Sequence, residues 1–277
     1  MAMSIRTNVA SLNAQRNLNT TQTALDSSLS KLSSGFRITK AGDDAAGLGI
    51  STKLESQIRS YSQAARNAND GISVIQSTES ALNESAAVLT RLRELAMQSA
   101  SDGIGDTERG YVQKETTALV NELERIAQVT EYNGTKLLNG ASASGLDFQV
   151  GLGTSANDKI NFNTLDATTG ASGLAVSGLS LASKASAVSA LTTIDAALAK
   201  VSDARATLGA NGNRFQSAIN NIAAFSESLS AANSRIKDVD VAEETSRMAR
   251  SQILSQAGVS VLAQANQMPQ LALKLLG

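Results

Sequence analysis

The sequence predicts a mainly α protein: an elongated helical bundle or coiled coil formed by both chain ends, with a small β-hairpin region in the middle. The first observation is periodicity. From Leu54 apolar residues step through Ile58, Tyr61, Ala65, Ala68, Ile72 and Ile75, then past Glu79 to Leu82, Ala86 and Leu89. Nearer the C-terminus they run Phe215, Ile219, Ile222, past Ser226 to Leu229, and past Asn233 to Ile236. Alternating steps of four and three give each helix one narrow apolar seam, as in helices packed lengthwise on one another. The second observation is that this period stops in a Gly/Ser/Thr-rich stretch at roughly 140–187. The third is that the chain has one proline, Pro269, so long helices run without interruption. The two arms are far apart in sequence and are predicted to lie side by side, as a rod.

The elements follow in order. Ile5, Val9, Leu12, Leu18, Leu25, Leu29, Leu32 and Phe36 describe a first amphipathic helix rich in Asn, Thr and Ser, which are mediocre helix formers. Gly35, Gly42, Gly47 and Gly49 loosen the chain after it, and Asp43 and Asp44 stand where a helix N-cap belongs. A second helix is predicted over about 45–100, which at 1.5 Å per residue is roughly 80 Å long. Gly103 and Gly105 break it, and a third helix carries Val112, Leu119, Leu123 and Ile126. Asn133-Gly134 is a hairpin-turn signal. The alternation around 148–150 and 160–162 predicts a small hairpin. Residues 164–187 read as a loose linker or surface excursion. Helix resumes near 188 with Leu191, Ile194, Leu198 and Val201, and a break is expected at Gly209 to Gly212. The last helix, about 240–276, carries Met248, Ile253, Ala257, Val261, Ala265 and Met268.

Composition narrows the function. The chain has 277 residues, enough for one or two domains, yet only 3% are aromatic and none is Trp, which disfavours a thick globular core. The formal net charge is −1, with acids and bases interspersed, so there is no electrostatic footprint for nucleic acid. Cysteine and histidine are both absent, which removes disulfides, the usual zinc ligands, thiol nucleophiles and the commonest general base. No run of eighteen apolar residues suggests a membrane span, and Met1–Asn13 does not read as a cleavable secretory signal. No cofactor is expected.

Several segments together resemble bacterial flagellin. At the front these are Ile5-Arg6-Thr7-Asn8, Leu32-Ser33-Ser34-Gly35, Asp43-Asp44-Ala45-Ala46-Gly47-Leu48, Asn69-Asp70-Gly71-Ile72-Ser73, Leu92-Arg93-Glu94-Leu95-Ala96 and Asn133-Gly134-Thr135-Lys136-Leu137-Leu138. At the back they are Gln252-Ile253-Leu254, Gln256-Ala257-Gly258 and Ser260-Val261-Leu262-Ala263-Gln264-Ala265-Asn266-Gln267. The resemblance implies an extracellular structural protein, not an enzyme, that self-assembles into the helical filament of the flagellum. It implies a terminal coiled-coil layer, here 1–43 with 237–277, lining the inner tube, and a long-helix bundle with a small β region at 44–236. Hook-associated junction and cap proteins, an export chaperone and the flagellar type III export apparatus are implied partners. Arg91, Leu95, Gln98 and Glu115 match positions at which some flagellins are recognised by a Toll-like receptor. Two departures stand out: Leu208-Gly209-Ala210-Asn211-Gly212-Asn213-Arg214 has a glycine where the family often has Gln, and the chain ends in Gly277.

A subunit with two complementary patches and a rotation that does not close makes a helical filament. Leu25, Leu29, Leu32, Ile253, Val261 and Leu262 are the expected assembly seams. Ordering costs about 1–2 kcal/mol per residue, so 1–43 and 237–277 are expected to be disordered in the monomer and to fold on assembly. Other constellations carry less. Ser28-Leu29-Ser30-Lys31 fits the Ser-x-x-Lys pattern without its partner motifs, and Gly47-Leu48-Gly49 and Gly151-Leu152-Gly153 read as flexible turns rather than nucleotide loops. Asp43-Asp44 reads as a cap rather than a metal site. Asn19, Asn83 and Asn133 fit a glycosylation sequon by chance, and sugars are expected sooner on Ser/Thr of 164–187. The alternatives are a hook–filament junction protein, a chemoreceptor-like signalling coiled coil and, last, an enzyme.

Overall fold

A computed structural model describes residues 7–141 and 145–276, with side chains of the last helix described as far as Gln267. Ile5, Arg6 and Gly277, and the side chains of Met268 and Pro269, lie outside the described residues. Among the described residues five α-helices and two small hairpins follow one another: α1 (Val9–Ser34), α2 (Ala45–Ser99), α3 (Asp106–Val129), β1 (Glu131–Tyr132), β2 (Thr135–Lys136), β3 (Leu146–Gln149), β4 (Lys159–Phe162), α4 (Lys184–Lys237) and α5 (Val241–Leu276). The chain divides into two compact units, 1–58 with 227–277 and 59–226.

Helix ends form where local chemistry allows. The Asn8 side chain accepts the Ser11 N–H and starts α1, and Gly35, at φ 74°, ends it by donating to Lys31 O. The two aspartates divide their work. Asp44 accepts the Gly47 N–H and opens α2, whereas Asp43 Oδ2 accepts Thr39 N–H, Lys40 N–H and the Thr39 hydroxyl. Those bonds, the Thr39 amide foremost, draw the Asp43 carboxyl down to about 2. Gly47 and Gly49 are helical rather than loose: α2 is already formed there, and a Cβ on Gly47 would lie 2.8 Å from Ile38 Cδ1. At the far end of α2 the buried Arg109 donates to Ser99 O and Ser101 O, closing a C-terminus that has no basic residue in its last turn.

In unit 59–226 one apolar core joins α2, α3, α4 and the middle segment. On α2 the buried line runs Ala64, Ala68, Gly71, Ile75, Thr78, Leu82, Ser85, Leu89, Leu92, Ala96 and Ser99, one position before the expected Ala65, Ile72, Glu79 and Ala86 at every second step. Small residues at these steps admit bulky neighbours: Phe215 of α4 lies against Gly71. Phe215 also meets Phe148 of β3 and Phe162 of β4 edge-on, which pins the β3–β4 hairpin to the bundle. In that hairpin Leu146 pairs with Phe162 and Gln149 with Lys159. The β1–β2 hairpin turns at Asn133 (φ 48°) and Gly134 (φ 77°), the two positive angles its two-residue loop requires.

Two expectations are corrected. α4 does not break at Gly209–Gly212; it starts at Lys184 and is continuous to Lys237. Leu208, Asn211 and Phe215 are buried there, so packing outweighs the helix propensity lost at two glycines, about 1 kcal/mol each. Residues 164–183 are not a loose excursion either. Ala167, Leu174, Val176 and Leu181 are buried, and polar bonds tie the backbone down. Gln113 of α3 accepts from Leu181 N and donates to Leu179 O, Glu124 accepts both Thr169 N and its hydroxyl, and Lys200 of α4 donates to Gly173 O. Thr169 is buried accordingly, and Ser172, Ser177 and Ser180 remain accessible.

Candidate functional site

The unit of 1–58 with 227–277 carries an unusual surface, built on the pairing of α1 with α5. The connectors set them antiparallel: Val239 N donates to Gly35 O, Arg37 N to Lys237 O, and Phe36 bridges Asp238. Arg37 also places two guanidinium bonds on Ile236 O, closing the C-terminus of α4. Lys237 pairs with the partly buried Glu55 and lies 4.5 Å from the Phe36 ring centre. At the far end Asn8 Nδ2 donates to Ala265 O at 2.7 Å and Ser11 Oγ to Asn266 Oδ1 at 2.8 Å.

Between those ends the seam is narrow. On α5 the described positions that are covered step strictly by four and three: Glu244, Met248, Ser251, Ser255, Gly258, Leu262 and Ala265. On α1 they are chiefly Ser11, Ala14, Leu18, Thr21, Leu25, Ser28 and Leu32. Most are small or polar, so the two backbones pack closely while burying little apolar area, and each Leu contributes most of what is gained. The Ser28 of the Ser-x-x-Lys pattern is one of these seam residues, buried on the side of α1 that meets α5 rather than set in a cleft.

Other bulky apolar residues point away from the seam. Ile253 is 66% exposed and Val261 53%, with Ala257 between them at helical spacing and Leu254 beside this stripe, and Val259 is exposed on another face of the helix. Val9, Leu12, Leu29 and Phe36 are exposed on or just after α1. The expected single face through Met248, Ile253, Ala257, Val261 and Ala265 therefore splits: Met248 and Ala265 turn inward, and Ile253, Ala257 and Val261 turn outward. Of the six expected assembly positions, Leu25, Leu32 and Leu262 lie in the seam, and Leu29, Ile253 and Val261 lie outside it. An exposed apolar stripe on α5, with further exposed apolar residues on α1, is a surface for a further protein partner.

The second set of candidate residues is not one surface. Arg91 bridges α2 and α3 by bonding Glu115 Oε1 at 3.0 Å, and it bonds Glu94 on its own helix at 2.9 Å. Both carboxylates, Glu94 foremost, hold the guanidinium more firmly protonated. Gln98 is exposed. Leu95 is 2% exposed and belongs to the core, so a partner touching this face of the folded unit meets Arg91, Gln98 and Glu115 but not Leu95. Among the described residues no group of His, Cys, Asp and Glu could hold a metal ion, and no helix is long and apolar enough to cross a membrane.

Comparison with known proteins agrees with the arrangement at both ends. The bacterial flagellin N-terminal helical region matches residues 5–143, and the bacterial flagellin C-terminal helical region matches residues 191–276. A flagellin of Bacillus subtilis is 41% identical over 305 residues, covering 99% of this chain and 100% of that protein. The flagellar filament 30.7 kDa core protein of Treponema maltophilum is also 41% identical, over 284 residues with the same coverage. The crystal structure of Bacillus cereus flagellin superposes with a TM-score of 0.50 at 30% identity, covering 57% of this chain and 88% of that one.

Proposed function

The chain belongs to the bacterial flagellin family, and on that premise we propose that it is the structural subunit of a flagellar filament, built by self-assembly of many copies and serving motility. The observation that carries this reading is the outward stripe of Ile253, Ala257 and Val261 on a helix pair whose own seam is filled mostly by small and polar residues. A surface of that kind gains its main apolar burial from neighbouring copies. Two different patches on one chain, on α1 and on α5, make such contacts heterologous, and heterologous contacts that do not close give a helical polymer. In this reading 1–43 with 237–277 form the inner tube, and 44–236 form the layer outside it.

The same thin seam supports order on assembly: α1 and α5 are disordered in dilute monomer and fold when a growing end covers their outer faces. Hydrogen exchange should therefore protect 9–34 and 241–267 in polymer and not in monomer; equal protection in both would refute the coupling. The export apparatus and its chaperone meet the chain in the unpaired state, junction and cap proteins meet the ends of the polymer, and the finished filament is extracellular. Recognition of free monomer by a Toll-like receptor draws on Arg91, Gln98 and Glu115, all exposed, and a reporter-cell assay with Glu115→Ala tests it.

The central test is the double substitution Ile253→Ser with Val261→Ser. Sedimentable polymer and tubes in negative-stain electron microscopy should be lost after seeding, while thermal unfolding of the 59–226 unit is unchanged. Tubes of normal yield from the double variant would remove the support for this surface.

A further inference from the structure

Gly258 stands in the middle of the α1–α5 seam, where the antiparallel pair has few large side chains. A Cβ built on Gly258 would lie 3.3 Å from Leu18 Cδ1 and 3.9 Å from Leu18 Cβ, so the Leu18 side chain packs directly over the glycine. Continuing antiparallel from that contact by one heptad sets Leu25 toward Ser251, and by two sets Leu32 toward Glu244. All of these are covered positions. The α1 leucines thus meet α5 at its smaller seam residues, and only at 258 is the side chain missing altogether. The connector bonds at Gly35 and Val239 hold one end of the pair, but Leu18 lies seventeen residues away, roughly 25 Å along the helix. At the other end the Asn8–Ala265 and Ser11–Asn266 bonds are polar and partly or fully exposed, where water competes with them.

We propose that Gly258 is a positioning residue for self-assembly: seating Leu18 there fixes how far α1 is slid along α5, and so sets where the exposed apolar residues of α1 stand relative to the outward Ile253, Ala257 and Val261. It acts through Leu18 and touches no neighbouring copy. The inference rests on the filament reading for its consequence but not for its geometry, and the two are separable by experiment.

The chain has no cysteine, so engineered pairs report the register cleanly. Ser11→Cys with Asn266→Cys joins two side chains that are hydrogen-bonded at 2.8 Å, and Ser11→Cys with Val259→Cys reports a slip of one heptad. Each pair is oxidised in polymerised protein, and polymer mass is scored separately. In the parent chain the 11–266 crosslink should dominate. With Gly258→Leu added, its yield among polymerised chains should fall at least fivefold or polymerisation should be lost. With Leu18→Ala and Gly258→Leu together, knob and notch exchange sides, and both polymer and the 11–266 crosslink should recover to at least half. An undiminished 11–266 crosslink in Gly258→Leu, or no recovery in the exchanged variant, overturns the proposal. Failure of the parent to polymerise under any seeding bears instead on the filament reading.

Discussion

Replacing Gly71 by Ala should destabilise the 59–226 unit, although the same exchange in an exposed helix interior stabilises by roughly 1 kcal/mol. The Cβ at 71 would lie 2.6 Å from Phe215 Cζ, 2.7 Å from Cε1 and 3.2 Å from Cε2. Carbon atoms prefer about 3.5–4.0 Å, so the ring has to retreat by roughly 1 Å. It has little room. Phe215 is fully buried and backed edge-on by the stacked rings of Phe148 and Phe162, with ring centres 5.6 and 6.4 Å away. Overpacking of this kind costs about 1–3 kcal/mol. Set against the propensity gain, the net loss is about 1 kcal/mol, which lowers the melting temperature of a unit this size by about 2–4 °C.

Gly212→Ala is the matched control. Gly212 lies inside α4 with no atom within 4 Å of its would-be Cβ, so only the gain in helix propensity acts. The variant should melt about 2–4 °C higher. In a Phe215→Leu background, Gly71→Ala should lose most of its penalty, because the atoms it collides with are gone; the double-mutant cycle then shows coupling of about 1 kcal/mol or more. Calorimetry of the four variants decides the matter. If Gly71→Ala melts above the parent, or if its effect is unchanged without the Phe215 ring, the packing argument is wrong.

The remaining predictions concern polar ties. The Asp43 carboxyl, held at about 2 by the Thr39 and Lys40 amides, is depressed below its ordinary value. Its support for the 39–43 turn is therefore full above about pH 4 and lost as pH falls through about 2. Side-chain titration by NMR should show that midpoint, the Thr39 and Lys40 amide shifts should follow it, and in Asp43→Asn they should not titrate. Arg109→Met should cost about 1.5–3 kcal/mol by stripping Ser99 O and Ser101 O of a charged donor, and hydrogen exchange should rise first at 98–103. Gln113→Ala should raise exchange and tryptic cutting at Lys184 by releasing the backbone at 179–181, with α3 itself unchanged by circular dichroism.

Local chemistry is legible in the sequence where it acts over a few residues. The Asn133-Gly134 turn, the Asp44 cap and the break before α3 all follow from angles or bonds within one turn of chain. The long period of α2 is legible too, but every second step is read one position late. The buried line takes Gly71, Thr78 and Ser85, whereas a scan for apolar residues selects the neighbours Ile72 and Ala86 and steps past Glu79. Small residues in a seam are invisible to a hydrophobicity pattern and are what close helix packing requires. The 164–183 segment looks loose in sequence for a related reason. Its anchors Ala167, Leu174, Val176 and Leu181 have no period, and its ties to Gln113, Glu124 and Lys200 come from residues far off in sequence. At Gly209–Gly212 propensity points one way and burial of Leu208 and Phe215 the other, and burial contributes more free energy than propensity costs.

α5 shows why a period alone cannot assign the two faces of an assembling helix. It carries two stripes: Met248, Ser251, Ser255, Gly258, Leu262 and Ala265, and beside it Ile253, Ala257 and Val261. The second is the more apolar, so sequence reasoning that awards the intrachain seam to the greasier stripe chooses wrongly. The intrachain partner is tethered, so its ends are already close, and bonds at Gly35 and Val239 set the pairing with little further loss of freedom. A weak, small-residue seam suffices under those conditions. A neighbouring copy arrives from solution and must overcome the loss of its own translational and rotational freedom, which takes larger apolar area. The greasier stripe therefore belongs outside, available to neighbours, and the chain's own pairing uses what remains. On this logic Ile253→Ser weakens association between copies while leaving the α1–α5 register intact, and Gly258→Leu alters the register first and association as its consequence.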